Sequence, residues 1–527
     1  MTRKKLLSNI NHCFGWGLFL LFLTYFNWSL ALLIQNYNLL GIKGFILNIF
    51  ALFFEVFGPF YAIYFMVQLL DGLLDIGKVE YQLEPLKTYP QVDVVIPIHN
   101  VNPVILEETL QGFQAVTYPN FKLWVADDST EKSLAKKCQA ITEKYNYQYF
   151  FQENQNFKAG MLNLILPTLK GKYVALFDVD HLPTAEILTK FVTILEHHSE
   201  FAFVQAMYSF RNVQNPVQVW QAMSQYQFFL AEAGKRRLGT VLFCGTTACF
   251  RREFSYPLPE GKLLEDFEHT ITLAGKGLKG YWLNEFGAHS LLPESFDHMM
   301  SQMFRWTKGQ TAAAIYNPRK LFGRGKSVRK TFDFLITSTL VFVVATMYIT
   351  AFFYALLYLC KVPVIRAVNL DQFAALTLTL IIWVIYGIIF TITTYYTKKI
   401  CKFKLTFWHV IFYMVIGGLT TPFLLLPTSL GLLGQNKLKK GKIAWNKKIP
   451  LFTIAFIITV IGLIFLGLTI ISVIDFLGII TWYPVKNFFF SIFGVIAPLL
   501  LGALPFITVA KRLCKKSHYY NNENIYH

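Results

Sequence analysis

The chain has 527 residues, of which 54% are hydrophobic and only 15% charged, and its formal net charge is +18. No soluble domain of this length tolerates that balance on its surface, which excludes a wholly soluble protein and implies an integral membrane one. The positive charge is accounted for by membrane topology and by attraction to anionic headgroups, about 1 kcal/mol per basic residue near the surface, so no nucleic-acid partner is expected.

A spanning helix needs about 20 mostly apolar residues. The first two candidates run from Cys13 to Ile34 and from Gly44 to Leu69, making residues 1–75 a pair of transmembrane helices. The amino-terminal run is longer than a signal-peptide core and lacks a small-residue cleavage site, so it is expected to remain as a span. Glu55 falls inside the second span, a costly position, and is expected to face a polar tunnel or to pair with a basic group.

A soluble unit follows over residues 76–310. From about Tyr89 to Tyr281 short apolar runs alternate with helical patterns. Strands are predicted at Val92 to Pro97, Phe121 to Ala126, Tyr147 to Phe151, Tyr173 to Phe177 and Phe201 to Ala206. Helices are predicted at Pro103 to Gln114, Ser133 to Tyr145, Ala159 to Leu169 and Thr184 to His197. The pattern is that of an α/β domain with a mostly parallel sheet, in which ligands bind outside the carboxyl ends of the strands.

Residues 311–331 are strongly basic and suit an interfacial segment. Two further spans are expected within 332–397, at Phe334 to Leu359 and Phe373 to Tyr396. The stretch from Leu405 to Leu433 is long enough to cross but is broken by Gly417, Gly418, Pro422 and Pro427. Lys404 and Lys437 flank it and should lie on the same side, so residues 398–449 read as a re-entrant or interfacial hairpin followed by a cytosolic loop. The last two spans, Leu451 to Val473 and Phe488 to Ala510, lie within 450–511, and 512–527 is a loose cytosolic tail. Six spans result, in a multi-pass protein of the cell membrane with both termini and the soluble domain cytoplasmic. Seven cysteines (13, 138, 244, 249, 360, 401 and 514) show no paired metal-ligand spacing.

Several side chains carry chemistry. Asp178 and Asp180 follow the buried run Val174 to Phe177, where a hard divalent cation, Mg²⁺ or Mn²⁺, can be bound by one or two carboxylates plus phosphate oxygens. Asp-x-Asp alone is a weak signal, strengthened here by the strand before it. Asp127 and Asp128 end an earlier strand and can accept hydrogen bonds from a nucleotide's base or ribose, or simply shape a turn. Lys158 can reach a phosphate, or be an ordinary solvated lysine. Glu265 and Asp266 open a helical stretch; Asp266 is the favoured general base with Glu265 supporting it, although carboxylates there also stabilise the helix dipole. Cys244, Gly245 and Thr246 precede a predicted strand and can wall an acceptor site, with Gly245 allowing close backbone approach. Gln302, Arg305 and Trp306 share helical spacing. Arg305 can pair with a departing diphosphate, and Trp306 offers a stacking face, although a tryptophan near a membrane is usually an interfacial anchor.

These elements, in this order from Gln91 to Gln310 and between flanking spans, resemble the processive family 2 glycosyltransferases, the group containing bacterial cellulose, hyaluronan, chitin and mannan synthases. The resemblance implies a cytosolic GT-A domain inserted between transmembrane helices. It implies an inverting hexosyltransferase that builds a β-linked polysaccharide from a nucleotide sugar, UDP-glucose or UDP-N-acetylglucosamine, and extrudes it. By motif, His99, Asp127 and Lys158 resemble nucleotide contacts, Asp178 and Asp180 the metal motif, and His181 a group near phosphate. Thr246 stands where the acceptor motif usually ends in Ser, and Leu264 replaces a customary Thr before Glu265 and Asp266. The Gln302, Arg305 and Trp306 match is complete. A gating loop is implied near Trp445 and Lys447, although Asn446 replaces a frequent Thr. The growing polysaccharide, the bilayer and accessory secretion subunits are the implied partners. A non-processive transferase that adds one sugar to a lipid carrier would use the same acidic sites. A transporter without transferase activity gives no reason for carboxylates aligned at strand ends.

Overall fold

The computed structural model describes residues 3–75, 84–153, 157–293, 295–317, 327–338, 340–364, 451–477 and 496–515, with isolated positions and a stretch around 415–425 besides. Helix α1 (Arg3–Gln35) and helix α2 (Tyr37–Leu73) fold back on each other across Asn36. At the open end of this hairpin, buried Asp71 of α2 accepts hydrogen bonds from Ser8 (2.9 Å) and Asn11 (3.1 Å) and lies 2.8 Å from Nε2 of His12. A buried carboxylate needs such partners to remain folded in place. Glu55 accepts hydrogen bonds from the hydroxyls of Tyr25 (3.3 Å) and Tyr354 (2.9 Å).

The sheet is built from β1 (Val92–Ile98), β2 (Phe121–Asp127), β3 (Gln148–Phe151), β4 (Tyr173–Leu176), β5 (Leu182–Pro183), β6 (Phe201–Phe210), β7 (Ala248–Arg251) and β8 (Lys279–Ser290). Their spatial order is β3-β2-β1-β4-β7-β6-β8-β5. The first four are parallel and match the predicted strands closely. Their centre, Val92 to Ile98, is almost wholly buried, as a strand covered on both faces requires. The other half departs from the mostly parallel expectation. There β7 runs antiparallel to both β4 and β6, and β5 antiparallel to β8, while β6 and β8 are parallel. The sheet is mixed because β7 enters from the opposite end, out of the loop that closes the site.

Helices α3 (Pro103–Gln114), α4 (Lys132–Lys144), α5 (Phe157–Ile165) and α6 (Ile187–His197) surround the parallel half, followed by α7 (Pro216–Gly234) and α8 (Glu265–Gly275). Asn102 caps α3 by accepting from Val104, and Asn215 caps α7 by accepting from Val217 and Gln218, each ahead of a proline in the first turn. Helix α8 has no such cap, since Leu264 at its amino end has no side-chain acceptor. Its first turn instead carries Glu265, Asp266 and Glu268, which favour the positive end of the dipole.

Helix α9 (Phe296–Tyr316) leads towards the membrane, followed by α10 (Val328–Ser338), α11 (Leu340–Leu359), α12 (Leu451–Phe476) and α13 (Ala503–Lys515). Among the described residues three helical stretches, Lys4–Gln35, Tyr37–Leu73 and Leu451–Asp475, are long and apolar enough to cross a membrane. Their many exposed large apolar side chains, Trp16, Leu20, Leu463 and Ile464 among them, suit contact with lipid. The expected span Phe373 to Tyr396 and the loop bearing Trp445 and Lys447 lie outside the described residues, apart from isolated positions in the former.

Helix α2 touches the soluble domain by backbone. A Cβ on Gly72 would sit 1.8 Å from the Leu230 carbonyl oxygen, and one on Gly234 would sit 2.0 Å from that of Gln68. Neither carbonyl can give way without moving its helix, so Gly234→Ala is expected to push α2 and α7 apart. The cost should be about 1–3 kcal/mol, read as a lower midpoint of thermal unfolding in detergent.

Beside this crossing lies a buried ion pair. Lys235 donates to Glu232 (2.5 Å) and to Thr337 of α10 (2.6 Å), and Asp333 of α10 accepts from Tyr64 of α2. The other oxygen of Glu232 accepts the backbone N–H of Leu242 at 3.0 Å, which ties this network to the loop before β7. Lys235→Met leaves Glu232 charged and uncompensated. Destabilisation of about 3–5 kcal/mol is expected, measurable by chemical unfolding of the detergent-solubilised protein.

Candidate active site

The carboxyl ends of β1, β2 and β4 open on the same edge of the sheet. Asp178, just past β4, donates its backbone N–H to Oγ1 of Thr246 at 2.8 Å, and its Oδ1 lies 2.5 Å from Nζ of Lys158 on α5. Lys158 also donates to the Gly245 carbonyl at 2.9 Å. Burial alone would raise the pKa of Asp178, but Lys158, His181 and Arg305 outweigh it and hold the carboxyl below its ordinary value. Burial likewise works to lower Lys158, and the surrounding Asp178, Glu265 and Asp266 overcome it, so the ammonium stays charged.

Asp180 is oriented by β8: its Oδ2 accepts from Oγ of Ser290 (2.7 Å) and from the N–H of Leu291 (3.1 Å). Among the described residues its Oδ1 accepts no hydrogen bond. His181 is buried, with Nδ1 2.8 Å from Oγ1 of Thr247 and its ring set edge-on to Tyr208 at 4.6 Å. Burial holds its pKa below the usual value despite Asp180 and Asp178 nearby.

The segment from Phe243 to Thr247 forms the facing wall. Gly245 has φ +81° and Thr247 φ +50°, and a Cβ on Gly245 would lie 2.9 Å from Oδ2 of Asp266. Glycine is thus required twice over, for conformation and for room. Asp266 stands in the first turn of α8, with Oδ1 accepting the N–H of Phe267 at 2.7 Å. Burial, then the charge of Glu265, raise its pKa to about 7 against the opposing pull of the Phe267 N–H, Lys158 and Arg305. A carboxyl poised there can take up a proton near neutrality.

One cleft brings together Lys158, Asp178, Asp180, His181, Cys244, Gly245, Thr246, Glu265, Asp266, Gln302, Arg305 and Trp306. Gln302 accepts a hydrogen bond from Gln221 of α7 at 3.0 Å. A second cavity shares Tyr208, Cys244, Asp266 and Trp306 with the first and continues past Trp220, Phe228 and Met303 to Leu424. It is walled largely by apolar and aromatic side chains.

Among the described residues, the predicted Asp127, Asp128 and His99 lie outside the cleft lining. Asp127 is fully buried, with Oδ1 accepting from the N–H of Ser129 (2.7 Å) and Oδ2 from the hydroxyl of Tyr149 (2.5 Å), so both its oxygens are already engaged. Half-exposed His99 has Nδ1 2.9 Å from Oδ1 of Asp128. Both sit at the neighbouring strand ends. Sequence reasoning missed Gln205, Tyr208, Gln221, Thr247 and Ser290. Of these, Gln205 left a trace, as a lone amide inside the apolar run Phe201 to Met207.

Among the described residues no group of three or more His, Cys, Asp or Glu side chains is arranged to hold a metal. That fits Mg²⁺ or Mn²⁺ rather than excluding them, because these ions take one or two carboxylates and complete their shell with phosphate oxygens and water. Asp180, with one oxygen anchored and the other without a protein donor, has the right chemistry.

The family described as Glycosyltransferase like family 2 matches residues 90–309. The chain is 29% identical over 260 residues to a cellulose synthase catalytic subunit (UDP-forming) of Pseudomonas fluorescens, covering 45% of this chain and 33% of that protein. It is 30% identical over 239 residues to a glucomannan 4-beta-mannosyltransferase of Arabidopsis thaliana, covering 42% and 43%. The chain thus spans about a third of the first relative's length and less than half of the second's. Among solved structures, a mannosyltransferase from Pyrobaculum calidifontis in complex with GDP-Man and Mn²⁺ aligns with a TM-score of 0.46 and 18% identity, over 70% of this chain and 98% of that one. Residues 90–309 are a family 2 glycosyltransferase domain, flanked at both ends by apolar helices.

Proposed function

We propose that this protein is a membrane-embedded, inverting hexosyltransferase that extends a β-linked polysaccharide from a nucleotide-activated hexose and passes the product across the bilayer. The observation that carries this reading is the single cleft in which Lys158, Asp178, Asp180, Asp266, Arg305 and Trp306 converge. Lys158 and Arg305 hold the donor's diphosphate, and Trp306 stacks on the acceptor sugar. Asp266 takes the proton from the acceptor hydroxyl, whose oxygen forms the new bond to the anomeric carbon. The bond from that carbon to the diphosphate breaks on the opposite face, and the electron pair leaves with the nucleoside diphosphate. Asp180, with Asp178 beside it, would hold a divalent cation, which when bound would add charge neutralisation on the leaving diphosphate. Attack in one displacement inverts an α-linked donor to a β-linked product. The aromatic-walled second cavity, continuous with Asp266 and Trp306, suits a chain of sugars leaving the site, since rings pack against sugar faces.

Purified full-length protein in lipid nanodiscs, given Mn²⁺ or Mg²⁺ and labelled UDP-glucose, UDP-N-acetylglucosamine or GDP-mannose in turn, tests the proposal. Release of nucleoside diphosphate together with a labelled product of high mass is expected from one donor. A single labelled lipid would establish the lipid-carrier alternative instead, and no transfer from any donor would refute the reading.

A further inference from the structure

We infer that Gln205, a β6 residue outside the cleft, is a positioning residue for sugar transfer, acting through the loop from Cys244 to Thr247. The inference rests on the glycosyltransferase reading of the cleft. Gln205 is fully buried, and its amide reaches only backbone: Oε1 accepts the N–H of Cys244 (2.9 Å), while Nε2 donates to the carbonyls of Ala206 (2.9 Å), Thr246 (2.8 Å) and, at longer range, Thr247 (3.3 Å). One side chain thus grips the loop at both ends, as donor and as acceptor.

That loop cannot be left to itself. Gly245 and Thr247 both have positive φ, and a non-glycine residue holds that conformation only where its surroundings impose it. The loop in turn sets three parts of the site. The Gly245 carbonyl anchors Nζ of Lys158, Oγ1 of Thr246 receives the N–H of Asp178, and Oγ1 of Thr247 meets Nδ1 of His181. Gly245 also packs directly on the carboxylate of Asp266. Displacing the loop would therefore move the phosphate-side lysine and the wall behind the base together. Only a primary amide of this length can accept at one end and donate at the other. Glutamate keeps an acceptor for Cys244 but turns a negative oxygen towards the three carbonyls.

The test is steady-state kinetics of the full chain in nanodiscs with the donor identified above, normalised to folded protein by size-exclusion profile and thermal midpoint. Gln205→Glu is expected to lower kcat by about 10- to 100-fold, the scale of a misplaced catalytic geometry, with a smaller rise in KM for the donor as Lys158 shifts. Gln205→Asn, which keeps the amide but is a methylene too short, is the second variant should the first fail to fold, and the same loss is expected. Unchanged kcat per folded molecule in either variant would overturn the inference. So would failure of both to fold, which would assign Gln205 to the stability of the sheet. Absence of transfer by the wild-type protein refutes the reading of the cleft itself, whereas an active wild type with an equally active Gln205→Glu refutes only this inference.

Discussion

Asp266→Asn is expected to lower kcat by about 10²- to 10⁴-fold, the usual worth of a general base, while leaving donor binding close to wild type. The substitution preserves shape and an acceptor for the Phe267 N–H, so the amino end of α8 should remain in place. What disappears is the ability to take up a proton. The pH dependence sharpens this. Burial and the neighbouring Glu265 raise the pKa of Asp266 to about 7, and the acting form is the carboxylate. Activity should therefore be present above about pH 7 and fall as pH drops through it, by about tenfold per pH unit in kcat/KM. Glu265→Gln removes a like charge, so its acid limb should move to lower pH. The residual activity of Asp266→Asn should lack the limb altogether. Equal pH profiles in all three proteins would assign proton transfer elsewhere.

Removal of divalent cations should abolish transfer reversibly, with Mn²⁺ or Mg²⁺ restoring it. Asp180→Asn is the matching variant. It keeps an oxygen to accept from Ser290 and Leu291 and removes only the charge. At saturating cation its kcat should fall by about 10²-fold or more, and the cation concentration needed for half-maximal activity should rise. A structural role for Asp180 would instead leave the cation requirement unchanged and lower the thermal midpoint. Lys158 and Arg305 are positive neighbours of the same cleft, so the diphosphate retains part of its counter-charge in the variant. Weakened rather than absent donor binding is expected.

Much of the catalytic half of the sheet could be read directly from local pattern. The run Val92 to Ile98 is apolar but for Asp93, as suits a doubly covered parallel strand, and Asn102-Pro103 marks the start of α3 at the right residue. The clusters around Asp178, Asp266 and Arg305 were visible because each follows a strand or lies at helical spacing, and the fold places them around one space. The other half of the sheet was not legible, because pairing direction is a non-local property. Nothing in the sequence Ala248 to Arg251 says that it will run against β4. β8 mixes Lys279, Asn284, Glu285 and His289 with its aromatics and shifts register against β6, which blurs the alternation that identifies a strand.

Asp127 shows what local pattern leaves out: Tyr149 from β3 and the turn at Ser129 each donate to one of its oxygens, a non-local anchoring that no motif spacing reports. Gln205 shows how a site residue can escape notice when its work is done on backbone atoms 39 to 42 residues away in sequence. Motif spacing reports side chains that meet substrate. It is silent on those that hold the loop carrying them.

The convergence of Asp180, Lys158, Asp266 and Trp306 on one cation-bound sugar donor is most directly tested by a cryo-electron microscopy structure of the full chain with UDP, Mn²⁺ and its oligosaccharide product. The metal should be seen bonded to Asp180 and to the diphosphate, with Lys158 on the phosphates, Asp266 within hydrogen-bond reach of the terminal acceptor hydroxyl and Trp306 stacked on that sugar. A nucleotide bound elsewhere, or a terminal sugar remote from Asp266, would contradict the account.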